Sequence, residues 1–194
     1  VETCPPYPLF DKTILREKGP YAKCNPPMRS RENVDALWEY VFDGTIDTLG
    51  SDHGPYADEE KVKHGNFFKE YSGFGGYDAM LAGMLTEGVH KRGLPLERLA
   101  ALTSGNPARV MGLAPRKGAL LPGADADIAV VNLDAEWVFD GTKSLSKTKS
   151  SHNIYHGSHL KGKVEQTWVR GELIYDHGTI KAARGYGRFV AKQK

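Results

Sequence analysis

The stretch Thr45-Ile46-Asp47-Thr48-Leu49-Gly50-Ser51-Asp52-His53-Gly54-Pro55-Tyr56 constrains the chain more than any other. Ile46, Thr48 and Leu49 suit a short buried strand, and Gly50 and Ser51 are small enough for close backbone packing. Asp52 and His53 then stand side by side before Gly54-Pro55 turns the chain. A carboxylate at the C-terminal tip of a buried strand sits where an α/β barrel keeps its reactive groups. Asp is also a common turn residue, so this stretch alone equally fits a turn cap.

Helical and extended segments alternate around that strand, as in an α/β fold. Ser30 to Phe42 predicts a helix. Ser30 is its N-cap, Glu32 lies in the first turn, and Val34, Leu37, Trp38, Val41 and Phe42 form the apolar face before Gly44 ends it. Tyr77 to about Val89 predicts a second helix, with Tyr77, Met80, Leu81, Met84 and Leu85 on one face. A third opens at Leu94-Pro95-Leu96-Glu97, lined by Leu96, Leu99 and Leu102. A short fourth starts at Asn106-Pro107, with Asn106 as N-cap and Gly112 as its stop. Leu9 to Ala22 reads as an ordered loop, and the polar run Tyr56 to Ser72 as a surface loop. Pro26-Pro27 should hold the Lys23-Cys24-Asn25 loop extended. From Lys117 the pattern changes to short strands: Ile128 to Val131, then a hairpin around Arg170-Gly171-Glu172. Leu145 to Ser158 is polar and irregular.

Composition excludes some partners. Of the 194 residues, 26% are charged and the net charge is +2, which gives no electrostatic case for nucleic acid or a membrane surface. No apolar run approaches the ~20 residues of a membrane span. Two cysteines, Cys4 and Cys24, fit a reduced compartment, and a cytoplasmic protein is the expectation.

Ser51-Asp52-His53-Gly54-Pro55 resembles the SDHAP signature of the cyclic amidohydrolases: dihydropyrimidinases (hydantoinases), allantoinases and dihydroorotases. Other segments match that family in order. Glu2-Thr3-Cys4-Pro5 resembles ETCPHYL, with Pro6 where the family has His. Lys23-Cys24-Asn25-Pro26-Pro27-Met28-Arg29 resembles KxNPPLR, and Asn106-Pro107-Ala108-Arg109 resembles NPAR. Lys117-Gly118 with Pro122-Gly123-Ala124-Asp125-Ala126-Asp127 resembles KG…PGADAD.

The resemblance implies the C-terminal portion of a metal-dependent (β/α)8 TIM barrel over residues 1–116, and part of a small β-sandwich over 117–194. Val1 to Cys4 would end the seventh barrel strand, and we expect the sequence to be the C-terminal part of a longer chain. The family binds two divalent metal ions, here expected to be zinc, through four histidines, a carbamylated lysine and one aspartate. Only the aspartate has a counterpart, Asp52. It would ligate a metal and also shuttle the proton as general acid/base. With the other ligands outside this chain, the 194 residues alone are expected to be inactive and to bind metal weakly.

His53 is expected beside the metal shell, orienting Asp52 rather than ligating. Asn25 would meet the substrate ring, since its amide offers both an acceptor and a donor to a ureide edge. Gly73 and Gly75, in Gly73-Phe74-Gly75-Gly76, would offer main-chain groups to the substrate. His152, His156 and His159 lack Cys or carboxylate partners in metal-like spacing and read as loop histidines.

The implied activity is hydrolysis of a cyclic amide or ureide of the hydantoin, dihydropyrimidine or allantoin type. Dihydroorotase is the alternative. Tyr56 stands where dihydroorotases carry a His for the substrate carboxylate and argues against it, whereas Asn25 argues for it. A non-catalytic structural relative is a third reading. A homodimer or homotetramer is expected, and the tail through Gly185-Tyr186-Gly187-Arg188-Phe189-Val190 is expected to cover a neighbour.

Overall fold

The computed structural model describes residues 1–192. Its first unit is a parallel pair of very short strands, β1 (Glu2–Thr3) and β2 (Thr48–Leu49), in the register Glu2 to Thr48 and Thr3 to Leu49. Between them run α1 (Pro6–Leu9), α2 (Ile14–Lys18) and α3 (Arg31–Asp43). Parallel strands need such a crossover because no tight turn can join them.

Most of α3 is as the sequence predicts. Ser30 precedes it with extended backbone, and Gly44 ends it in the left-handed region at φ 95°. Val34, Trp38 and Val41 are buried, whereas Phe42 lies towards solvent. Trp38 is the anchor: its ring is 1% exposed, and its indole N–H donates to the Pro8 carbonyl at 2.9 Å. That single bond ties α3 to the segment leaving β1.

Leu9 to Ala22 is not a loop. Pro6 and Pro8 sit in the first turn of α1, where a missing N–H costs nothing, and α2 runs into a 3₁₀ turn at Gly19–Ala22. The polar 56–72 run also differs from expectation. It contains α4 (Asp58–Lys61), and it buries Lys61 and Glu70.

The second predicted helix begins at α5 (Met80–Met84) and continues, widened to π geometry, over Leu85–Lys91. Tyr77 precedes it and is exposed, so it is no part of the buried face. The third and fourth predicted helices are one. Leu96–Ala100 (α6) passes through a widened turn, Ala101–Gly105, into Asn106–Val110 (α7). The wide turn carries the chain past Pro107, which has no N–H to give. Asn106 is therefore a helical residue at φ −69°, ψ −46°, not an N-cap. Gly112, at φ 69°, closes the helix as expected.

The second sheet is antiparallel, in the order β3 (Ile128–Val138), β4 (His159–Val169), β5 (Glu172–Asp176), β6 (Thr179–Ile180). Arg170 and Gly171, both at positive φ, form the predicted hairpin turn. Strand β4 lies on the helix that begins at α5. The Thr86 hydroxyl accepts from the Lys161 N–H at 2.8 Å, and Gly162 leaves no room there for a side chain beside Leu85. Phe139, Ile154, Tyr155 and Leu160 join one core with Ala79 and Ala82, so the irregular 145–158 segment buries Ile154 and Tyr155 while Leu145 stays exposed.

No helix among the described residues is long and apolar enough to cross a membrane. Trp38→Ala should lower the stability of the complete protein by about 3–5 kcal/mol. A chemical-denaturation midpoint within error of wild type would contradict the placing of this anchor.

Candidate functional site

Asp52 follows β2 by three residues and adopts φ 46°. Few side chains other than Gly, Asn and Asp enter the left-handed region readily, and residues held there concentrate at functional sites. The turn aims an exposed carboxylate at a cavity of about 520 Å³ that is also lined by Glu2, Cys4, Tyr7, Asn25 and Arg29. No hydrogen bond to the Asp52 carboxylate forms among the described residues, so both oxygens are available. The structure thus brings together two of the expected residues, Asp52 and Asn25.

Strand β2 is short, and the continuous helix 96–110 holds it. Arg98 donates to the carbonyls of Val41 (2.8 Å) and Ile46. The buried Asn106 amide donates to the Asp47 carbonyl at 2.7 Å, and its own oxygen accepts from Arg109 at 2.5 Å. The Asn106-Pro107-Ala108-Arg109 motif therefore braces the strand that presents Asp52. Another motif is also structural. Lys117 pairs with Asp125 and Asp127, and Asp127 accepts from the Arg170 N–H at 2.9 Å, which pins the β4–β5 hairpin.

Asn25 lies where the chain bends at Asn25-Pro26 rather than running extended. Its amide nitrogen donates to the Ser72 hydroxyl at 2.7 Å. No partner for its amide oxygen occurs among the described residues, so an acceptor is left at the cavity. Tyr7 supports the bend by donating to the Pro26 carbonyl at 3.0 Å.

The glycine segment packs directly beneath the Asp52 turn. Gly54 donates to the Phe74 carbonyl at 3.0 Å, and a Cβ on Gly54 would lie 2.9 Å from the Gly73 carbonyl carbon. Only glycine allows that approach. The main-chain groups expected to face a ligand are largely engaged. Gly73 donates to the Lys23 carbonyl at 2.9 Å, and its own carbonyl accepts from Lys61 at 2.6 Å. The Gly75 carbonyl accepts from Asn153 at 3.1 Å. Neither glycine lines the Asp52 cavity.

His53 bridges to Phe74 and meets Tyr77 edge-on at 6.0 Å. Its ring Nδ1 is buried and unpartnered, and no bond from His53 to the Asp52 carboxylate is present among the described residues. His152 stacks on Tyr21 at 4.2 Å and pairs with Asp58 at 2.9 Å. His156 accepts from the Gly141 N–H at 3.1 Å. His159 opens β4 and does not belong to the irregular segment. No group of three His, Cys, Asp or Glu side chains suited to a metal occurs among the described residues. A free carboxylate still suits a hard divalent cation, so Asp52 fits as one ligand of such an ion, though not as a complete site.

A larger cavity, about 720 Å³, lies between helix 96–110 and residues 117–129, away from Asp52. Lys117, Asp125 and Asp127 in its wall are paired with one another, so it offers no free reactive group of theirs.

Sequence reasoning missed Lys61. Its amine is 3% exposed and donates to three carbonyls, those of Lys23, Tyr71 and Gly73. Burial, with the Lys23 ammonium nearby, lowers it to about 8. A buried lysine inside a polar run leaves no periodic signal in the sequence.

Both cysteines are free thiols. Burial, then the Asp52 and Glu2 carboxylates, push the Cys4 thiol up to about 11. Alkylation of Cys4 in the metal-free complete protein should therefore keep accelerating with pH until about pH 11. A plateau near pH 8.5, the range of an ordinary thiol, would contradict this.

Comparison with known proteins gives the relationship. The amidohydrolase family model matches residues 7–174. The chain is 39% identical over 178 residues to an allantoinase of Deinococcus radiodurans, covering 92% of this chain and 38% of that protein. It is 38% identical over 193 residues to an L-hydantoinase of Paenarthrobacter aurescens, covering 99% of this chain and 42% of that one. The solved L-hydantoinase (dihydropyrimidinase) of Arthrobacter aurescens superposes with a TM-score of 0.92 at 36% identity, over 97% of this chain and 42% of that chain. The chain spans about two fifths of the length of these relatives. By the extent of the family match and the closeness of the superposition, the chain belongs to the amidohydrolase family.

Proposed function

We propose that the complete protein hydrolyses a C–N bond in a cyclic amide or ureide of the allantoin, hydantoin or dihydropyrimidine type. The observation that carries this reading is the strained Asp52 turn, which sets an unbonded carboxylate on the same cavity as the free Asn25 amide oxygen. The similarity to proteins named allantoinase and L-hydantoinase supports it. In this reading residues 1–116 are the last part of a (β/α)8 barrel, and 117–194 belong to a small β-sandwich. The tail from Gly185 would cover a neighbouring subunit of a homodimer or homotetramer in the cytoplasm.

Two divalent ions, zinc being the expected one, would activate water and polarise the scissile carbonyl when bound. Asp52 would contribute one ligand to them, and the remaining ligands would come from outside these residues. The same carboxylate would accept a proton from the attacking water and pass it to the departing ring nitrogen. A carboxylate suits this because it is ionised at neutral pH and can move a proton across one hydrogen bond. Asn25 would accept a hydrogen bond from a ring N–H. The glycines at 73 and 75 would shape the wall behind it.

Tyr56 favours a ring without a carboxylate. It stacks on Tyr71 at 4.9 Å with planes 5° apart, and it brings no positive charge to the site. This sets dihydroorotate behind the neutral rings.

Asp52→Asn in the complete protein should lower kcat by about 10²–10⁴-fold, with little change in Tm. Turnover near wild type would remove Asp52 from the reaction. Asn25→Ala should raise KM about tenfold on the best ring substrate while sparing kcat. An unchanged kcat/KM would remove Asn25 from substrate recognition.

A further inference from the structure

Lys61 is a buried group near the site whose bonds span two separate loops. Its Nζ donates to the Tyr71 carbonyl at 2.7 Å, the Gly73 carbonyl at 2.6 Å and the Lys23 carbonyl at 3.4 Å. These partners are not scattered. Tyr71 and Gly73 flank Ser72, whose hydroxyl accepts the Asn25 amide proton at 2.7 Å. Lys23 stands two residues before Asn25, and its carbonyl also accepts from the Gly73 N–H at 2.9 Å. One ammonium therefore fixes the backbone on both sides of the Asn25–Ser72 bond.

Around it the loop is closed by complementary contacts. The Glu70 carboxylate, 4% exposed, accepts from the N–H groups of His64 and Asn66, and the Lys23 amine donates to the Glu70 carbonyl at 2.6 Å. Lys61 is thus held by a folded loop and is not a stray surface chain. Asn25 Nδ2 is committed to Ser72, and its Oδ1 has no partner among the described residues. Loss of the Ser72 contact would let the amide rotate and present either edge.

We propose that Lys61 is a positioning residue, which locks the Asn25 amide with its oxygen towards the ligand and so selects rings that present an N–H there. This rests on the reading of Asn25 as a substrate contact. An ammonium is well suited to the task. It offers three donors to three backbone carbonyls, of which that of Lys23 also accepts from Gly73. Lys61 itself touches no ligand.

The test uses the complete protein at pH 7. Lys61→Met keeps the length and removes the donors, and Lys61→Arg restores several of them. Steady-state rates are measured on allantoin, hydantoin and dihydrouracil for both variants, for Asn25→Ala and for the Lys61→Met/Asn25→Ala double variant. Lys61→Met should raise KM about tenfold with kcat little changed, and should add little further loss once Asn25 is already Ala. Lys61→Arg should recover part of the loss.

Amide hydrogen exchange provides the readout independent of activity. Exchange at Gly73 should quicken in Lys61→Met, while helix 96–110 stays as protected as in wild type. Fully additive losses in the double variant, or unchanged exchange at Gly73, would overturn the proposal. Equal loosening of helix 96–110 would reduce Lys61 to a general stabiliser and overturn it too. If the wild-type protein turns over none of the rings, the hydrolase reading falls, and the exchange measurement alone decides whether Lys61 locks the loop.

Discussion

Two strands of two residues each carry the site, and such a pair cannot hold itself in place. The constraint behind them is the set of bonds from one continuous helix, residues 96–110, to the carbonyls that lead into β2. Arg98 fixes the end of α3 and Ile46, and Asn106 fixes Asp47. The chain reaches Thr48 with its direction already set, and the left-handed turn at Asp52 follows. The apolar core beneath, with Trp38, Leu99 and Leu102 nearly or fully buried, keeps helix and strand together. The buried amide and guanidinium donors also answer carbonyls that would otherwise be left without partners at the strand end.

A second layer of polar bonds shapes the cavity. The Lys23–Asn25 bend and the 71–75 segment arrive from distant parts of the sequence, and backbone pairing alone joins them at few points. Lys61, Ser72 and Gly54 supply the rest: an ammonium that gathers carbonyls, a hydroxyl that takes the Asn25 proton, and a glycine thin enough for the loops to touch. The antiparallel sheet is separate in topology, yet it is fastened to the same body through Thr86, Gly162 and the Phe139–Tyr155 core.

Much of this was legible in the residues. The spacing of Val34, Trp38 and Val41 gives α3, and Ser30 and Gly44 give its ends. The Arg170-Gly171 pair gives the hairpin, and the Ile46–Leu49 run gives the short buried strand that leads to Asp52. Some elements were hidden for physical reasons. The Leu9 to Ala22 run lacks a long apolar period, so the short helical turns at Pro6–Leu9, Ile14–Lys18 and Gly19–Ala22 leave little local signal. Pro107 makes Asn106 look like a cap, because nothing local records that the preceding turn widens and the helix runs on. Lys61 sits in a run of charges that reads as solvated surface. Its burial follows from three carbonyls brought in by the fold, and no local pattern encodes that. The glycines at 73 and 75, expected to offer main-chain groups to a ligand, have those groups largely bonded to other parts of the chain.

In the proposed function Asp52 is one ligand of a divalent centre completed elsewhere in the protein. Elemental analysis of the complete protein, beside its Asp52→Ala variant, tests it most directly. The account predicts about two divalent ions per wild-type subunit and a clear loss in the variant. No bound metal in the wild type, or equal content in both, would contradict it and turn attention to a non-catalytic, structural role for the family fold.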